Sequence, residues 1–303
     1  MRPVFDAHAD TLSRLQRRGG DLLENDGHFD LRRAEAYGPA AQFFAAYGFD
    51  FEVLGPLARR LFAAHDDRVV LCRTAGEARR AGAESRLAAF LSLEGAEVVG
   101  CDETRLRAAW EQGARMVGLT WNHDNALAGG VGGAGGGLTP RGASFLRLAR
   151  SLPMIIDVSH LSDRSFWDVA EAMEGTPFVA SHSNARAVCD HPRNLTDGQF
   201  AALVSADGFA GINLYTVFLT AGETAAWEDV GAHIEHFAAL GGVRHIGLGC
   251  DFDGCAQLPA GVRGIEDLGA LYEWLLRKNY PEDTVRGIFY HNILRVVERI
   301  CDM

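Results

Sequence analysis

Val4-Phe5-Asp6-Ala7-His8-Ala9-Asp10 opens the chain with an apolar run that ends in His-X-Asp. Side chains on a strand alternate between faces, so His8 and Asp10, two apart, point the same way. An imidazole and a carboxylate on one face at a strand's end offer two ligands to a divalent metal. A capped turn with a hydrogen-bonded histidine is the plainer interpretation of an isolated His-X-Asp. The rest of the chain argues against it, because the same design recurs: an apolar strand ending in a ligand-type residue.

Ala40 to Tyr47 reads as a second strand, and Leu87 to Leu93 as a third that ends in Glu94-Gly95. Met116 to Thr120 is a fourth and runs into Trp121-Asn122-His123-Asp124-Asn125. Met154 to Ser159 ends in His160, Phe178 to Ser181 in His182, and Phe209 to Asn213 near Tyr215. The eighth, His245 to Gly249, leads into Cys250-Asp251-Phe252-Asp253-Gly254. Helical periodicity fills the intervals, at 11–18, 57–64, 75–83, 104–112, 142–151, after a Ser162 cap, at 226–240, 268–277 and 283–300. No linker or composition break interrupts the alternation. It predicts an α/β fold, a single (β/α)8 TIM barrel over residues 1–303. Barrel strands are buried on both faces, which explains runs such as Met154-Ile155-Ile156-Asp157-Val158. Barrel chemistry sits at strand C-termini, and here those ends carry His8, Asp10, Glu94, His160, His182 and Asp251.

The formal charge of −11 speaks against nucleic acid or an anionic membrane surface as partner, since both reward a basic face. No apolar run has the length of a membrane span, and the N-terminus enters a strand without a signal-peptide pattern, so a membrane anchor is not expected. The six cysteines form no CxxC pair, which suggests a reduced, cytoplasmic protein with Cys250 as a small buried hydrophobe. Gly129 to Gly137 lacks the Lys-Ser/Thr of a phosphate loop and reads as a mobile loop.

Nitrogen and carboxylate ligands without thiolate suit zinc, with iron and manganese as the other candidates. Three histidines and two carboxylates exceed the needs of one ion with an open position, so two ions sharing a bridging carboxylate are expected. The single lysine, Lys278, lies in a late helix far from any strand end and cannot serve as a carbamylated bridge. That leaves Glu94. Two ions lower the pKa of a shared water and polarise a carbonyl, the chemistry of amide or ester hydrolysis. Asp251 is placed to take the water's proton and pass it to the leaving group; Asp253 is the competing candidate, better suited to supporting the loop.

These motifs resemble the membrane dipeptidase (renal dipeptidase) family, peptidase family M19 of the amidohydrolase superfamily. The resemblance runs through the opening His-X-Asp, Leu93-Glu94-Gly95, Leu119-Thr120-Trp121-Asn122, Ile156-Asp157-Val158-Ser159-His160, Ser181-His182-Ser183-Asn184-Ala185-Arg186, His191-Pro192-Arg193-Asn194 and Gly249-Cys250-Asp251-Phe252-Asp253-Gly254. It implies a soluble bacterial dipeptidase whose bridging hydroxide attacks the peptide bond, with His8, Asp10 and Glu94 on one zinc and Glu94, His160 and His182 on the other. It also implies Asp251 as the proton-transfer residue, Arg193 as the partner of the substrate's C-terminal carboxylate, and Tyr215 as a substrate contact. Animal members have a histidine directly after Leu-Thr; here that position is Trp121, a candidate substrate contact, and His123 two residues on is the candidate substitute. Dipeptides with a C-terminal D-residue and a homodimeric assembly are further expectations from the family. Deacylation of an N-acyl amino acid is the alternative reaction on the same metals, and a barrel-type binding protein without turnover the alternative outside enzymes.

Overall fold

A computed structural model describes residues 1–303. Its strands are β1 (Val4–Ala9), β2 (Ala40–Ala46), β3 (Val69–Leu71), β4 (Leu87–Leu93), β5 (Ala114–Gly118), β6 (Ile155–Asp157), β7 (Ala210–Ile212) and β8 (Ile246–Leu248). All pairings are parallel, and the continuous path runs β6-β5-β4-β2-β1-β8-β7. Val179 and Ala180 close the ring: Val179 bridges to Asp157 on one side, Ala180 to Ala210 on the other. The eight staves expected from the sequence are therefore present, the sixth as a two-sided bridge. β3 was not expected. It pairs with the lower half of β4, while β5 takes the upper half.

Helices alternate with the staves as the periodicity predicts, from Thr11–Arg18 to Asn292–Cys301. The Asp197–Ser205 helix, closed at its start by a Thr196/Gln199 capping box, is an addition. The last helical stretch is interrupted by a π turn at Gly287–His291. Tyr290 of that turn and Ile293, Val296 and Val297 after it join the apolar floor of the barrel. There Phe5, Phe43 and Phe90 stack with ring centroids 5.0–5.7 Å apart, an aromatic arrangement that adds to the stabilisation from burial alone. Gly129–Gly137, expected to be mobile, is tied down instead. Asp124 accepts from Gly130 and Ala134 N–H, and Ser162 and Ser165 hydroxyls donate to the Gly136 carbonyl.

Above the floor the staves crowd one another. A Cβ on Gly211 or Gly249 would lie 2.0 or 1.9 Å from the Ser181 carbonyl oxygen. Backbone atoms cannot yield as a side chain can, so glycine is obligatory there. Gly249→Ala should destabilise the protein by about 3 kcal/mol or more in urea unfolding. Gly222→Ala, at an open surface position, should stay within about 0.5 kcal/mol. Equal effects of the two would contradict this packing.

Candidate metal centre

The mouth of the barrel inherits its geometry from a slip in β1. Asp6 pairs with Gln42 and Ala9 with Phe44, so three steps on β1 match two on β2. A bulge of this kind places two successive residues on one face. Phe5 and Ala7 thus join the floor cluster, and His8 and Asp10 still reach the cavity above it. Asp6 pins the neighbouring seam. Its carboxylate accepts from Cys250 N–H at 2.7 Å and from Gln42 Nε2 at 2.9 Å, fixing the chain just before Asp251.

Glu94 stands at the end of β4, two alternations beyond Phe90, with little exposed surface. Its Oε2 lies 3.4 Å from His8 Nε2, and its Oε1 lies 2.9 Å from His160 Nε2 and 3.8 Å from His182 Nε2. His8 Nε2 is also 3.6 Å from Asp10 Oδ2. Asp251 joins His8 and Asp10 in a second close group of ligand atoms. One carboxylate therefore faces two sets of donors through its two oxygens.

Several observations suit this cluster to cations. His8 Nδ1 and Nε2, Asp10 Oδ1 and Glu94 Oε2 are buried without hydrogen-bond partners, an expensive state for polar atoms unless something else pairs them. His160 Nε2 and His182 Nε2 are 2.8 Å apart. Burial holds both imidazoles well below their ordinary range, reinforced by Arg193 and His8, so both are neutral and present lone pairs to one space. Burial would depress His8 as well, yet the Glu94 and Asp10 carboxylates raise it well above. Burial, aided by Asp10, pushes Glu94 up to about 7. Excess carboxylate held in apolar surroundings beside neutral imidazoles is a ligand set for divalent ions.

The groups around the cluster are fixed from several elements. Asp251 has a left-handed φ of 59°; Asn213 Nδ2 donates to its Oδ2 at 3.0 Å, and burial pushes its carboxyl up to about 6. Asp253, also left-handed at 67°, accepts from Thr11 Oγ1 and His28 N–H, the loop support expected of it. Arg193 is buried, with Asp251, Glu94 and Asp157 acting on its charge from beyond ion-pair distance. Its guanidinium donates to the Ser159 carbonyl, approaches His160 Nε2 at 3.2 Å and lies 5.5 Å over the Phe218 ring. Tyr215 packs edge-on to that same ring at 5.0 Å.

On the other side of Glu94 opens a cavity of about 420 Å³ lined by Tyr47, Trp121 and His123 among others. Trp121 lies 6.1 Å from the His160 ring, and His123, exposed on the rim, meets the edge of Trp121 at 5.6 Å. Asn122, passed over in the sequence, is the residue of this run that touches the cluster: its Oδ1 lies 2.8 Å from His160 Nδ1. Asn213, Asp157 and Ser181 were also passed over. Asp157 lies three residues before His160 and Ser181 directly before His182, so their place inside the ligand-bearing motifs was the available signal; Asn213 closes the seventh strand run.

Buried ligand-type groups at the top of a closed parallel barrel are characteristic of metal-dependent hydrolases. Comparison with known proteins narrows that class. The family model described as Membrane dipeptidase (Peptidase family M19) matches residues 1–303, and the chain belongs to this family. It is a metallo-dipeptidase. A metallo peptidase from Rhodobacter sphaeroides, crystallised with a phosphinate mimic of the dipeptide L-Ala-D-Ala, is 29% identical, with 99% of each chain covered and a TM-score of 0.88. The dipeptidase AC, a metallo peptidase of family M19, is 30% identical over 100% of this chain and 99% of that one, also at 0.88. An uncharacterised protein from the pqqA 5' region of Klebsiella pneumoniae is 32% identical over 255 residues, 80% of this chain and 93% of the relative. No helix is long and apolar enough to cross a membrane.

A ligand that binds only the folded state stabilises it by mass action. Each divalent ion held at 1,000 times its dissociation constant should add about 4 kcal/mol to unfolding in urea. Chelation should remove that increment, and Glu94→Ala should abolish most of it. Identical melts with and without the ion would contradict a site made of these residues.

Proposed function

We propose that the chain hydrolyses dipeptides at a centre of two zinc ions, with His8, Asp10 and Glu94 holding one ion and Glu94, His160 and His182 the other. The observation that carries the substrate assignment is Arg193: a buried guanidinium at the edge of the cluster whose nearest partners are the Ser159 carbonyl and His160 Nε2 rather than a carboxylate. A fork of donors in a dry site calls for an anion, and a dipeptide's C-terminal carboxylate supplies one a short reach from its single amide. The arginine is turned into the site rather than to solvent, which favours a substrate whose scissile amide lies beside a free carboxylate, as in a dipeptide, over an ester or lactone without one.

Bound at this site, the ion pair supplies an acidified water and a polarised carbonyl. The residues do the rest. Asn213 occupies Asp251 Oδ2, leaving Oδ1 to take the proton from the attacking water and return it to the leaving amine nitrogen. Arg193 holds the C-terminal carboxylate, and Tyr215, sharing the Phe218 ring with it, contacts the same end of the substrate. Trp121 and His123 border the cavity beside Glu94, suited to the N-terminal residue. A hydrogen bond from His123 to the scissile carbonyl requires its ring to turn inward past Trp121. The L-Ala-D-Ala mimic on the Rhodobacter sphaeroides relative makes a C-terminal D-residue the first substrate to try. The six cysteines are free and buried, which suits a reducing cytoplasm.

Arg193→Met should lower kcat/KM for an L,D-dipeptide by about 30- to 150-fold, the loss of about 2–3 kcal/mol from one charged contact. A dipeptide amide should show the same penalty on the unaltered enzyme and none on the variant. Asp251→Asn should cut kcat by about 100- to 10,000-fold with zinc content unchanged. Two metals per chain with no dipeptide cleaved would redirect the assignment to N-acyl amino acid deacylation; no metal bound would refute it.

A further inference from the structure

Beneath the ligand layer, between it and the aromatic floor, lies a buried polar group that the proposed reaction does not use. Asp157, at the end of β6 and 7% exposed, accepts four hydrogen bonds from two serines. Its Oδ1 receives Ser159 N–H at 3.1 Å, Ser159 Oγ at 2.7 Å and Ser181 N–H at 2.9 Å. Its Oδ2 receives the Ser181 hydroxyl. Both serines then reach His182: its backbone N–H donates to Ser159 Oγ at 3.1 Å, and its Nδ1 lies 2.6 Å from Ser181 Oγ.

Proton counting fixes the rest. A carboxylate is an acceptor only, so the single proton of Ser181 Oγ is committed to Asp157. The contact between Ser181 Oγ and His182 can then be made only by a proton on Nδ1. His182 is held as the Nδ1–H tautomer, with the lone pair of Nε2 turned to Glu94 and His160. We infer that Asp157 is a positioning residue, acting through Ser181 to set the tautomer of His182 and so keep its Nε2 available to a metal ion. The inference rests on His182 being a ligand, as proposed above. Partners of this kind are worth about 10- to 100-fold in metal affinity. The same carboxylate holds Ser159, whose carbonyl accepts from Arg193, so one buried acid orders both a metal ligand and the carboxylate clamp.

Asp157→Asn tests the inference because its amide can enter in only one orientation. Two fixed backbone N–H groups point at Oδ1, so the carbonyl must face them and the NH2 must face Ser181. The serine hydroxyl is then free to donate to His182 Nδ1, which drives the proton to Nε2 and blocks the ligand. In competition with a chromophoric chelator, full-length Asp157→Asn should bind its weaker zinc about 10- to 100-fold less tightly than the unaltered protein. Ser181→Ala, which deletes the relay with less perturbation, should show a loss of the same order, and covers failure of the first variant to fold. A purely structural role would lower the urea midpoint and leave the ring unchanged. The second readout is therefore the ¹⁵N spectrum of the histidines in chelated protein, with His182 assigned by its loss in His182→Gln. The unaltered chain should give a protonated Nδ1 at His182, and Asp157→Asn a protonated Nε2. Unchanged zinc affinity in both variants, or a protonated Nε2 in the unaltered chain, would overturn the relay. Failure of the ligand assignment itself shows elsewhere, as fewer than two zinc ions on the unaltered protein.

Discussion

Everything at the top of this barrel depends on the cost of burying the Glu94 carboxylate. One of its oxygens has no hydrogen-bond donor, and the other faces imidazoles that burial keeps neutral. Burial drives such a carboxyl toward its neutral form, here up to about 7, unless cations beside it hold the charge. Glu94 sits in a cluster where His8, Asp10, His160 and His182 converge from three further staves. The barrel supplies the rigidity that keeps these groups from relaxing away from one another. Its floor of stacked aromatics and its crowded glycine contacts around Ser181 leave the staves little freedom to shift.

The interior is layered. Apolar residues fill the bottom, hydrogen-bonded Asp157, Ser159 and Ser181 the middle, and the ligand-type groups the mouth. Each layer fixes the next. The bulge in β1 is the local irregularity that makes this possible, since without it Phe5 and His8 would lie on opposite faces. Asp6 does the corresponding task at the β1/β8 seam, where its carboxylate anchors Cys250 next to Asp251.

Much of this was legible in the sequence, for physical reasons. Buried parallel strands leave continuous apolar runs, and the residue after each run falls at the mouth; His8, Asp10, Glu94, His160, His182 and Asp251 were all found this way and do lie together. β3 was missed because a strand of three residues is too short to leave a distinctive pattern. Asp157 and Ser181 sat inside quoted motifs without a role, because hydrogen bonds between neighbouring staves depend on register, which periodicity does not contain. The glycine run from 129 to 137 looked free because the Asp124 and Ser165 contacts that tie it come from outside the run. His123 shows the limit of strand arithmetic: β5 ends at Gly118, so parity no longer governs five residues later, and the ring lies on the rim.

Glu94 is proposed to bridge two ions between separate sets of histidine and carboxylate ligands. The most direct measurement is an anomalous difference map, recorded at the zinc edge, from crystals of the catalytically active protein. Two peaks should appear on either side of Glu94, one against His8 and Asp10 and the other against His160 and His182. An active enzyme with a single peak, or with peaks that Glu94 does not touch, would contradict the account.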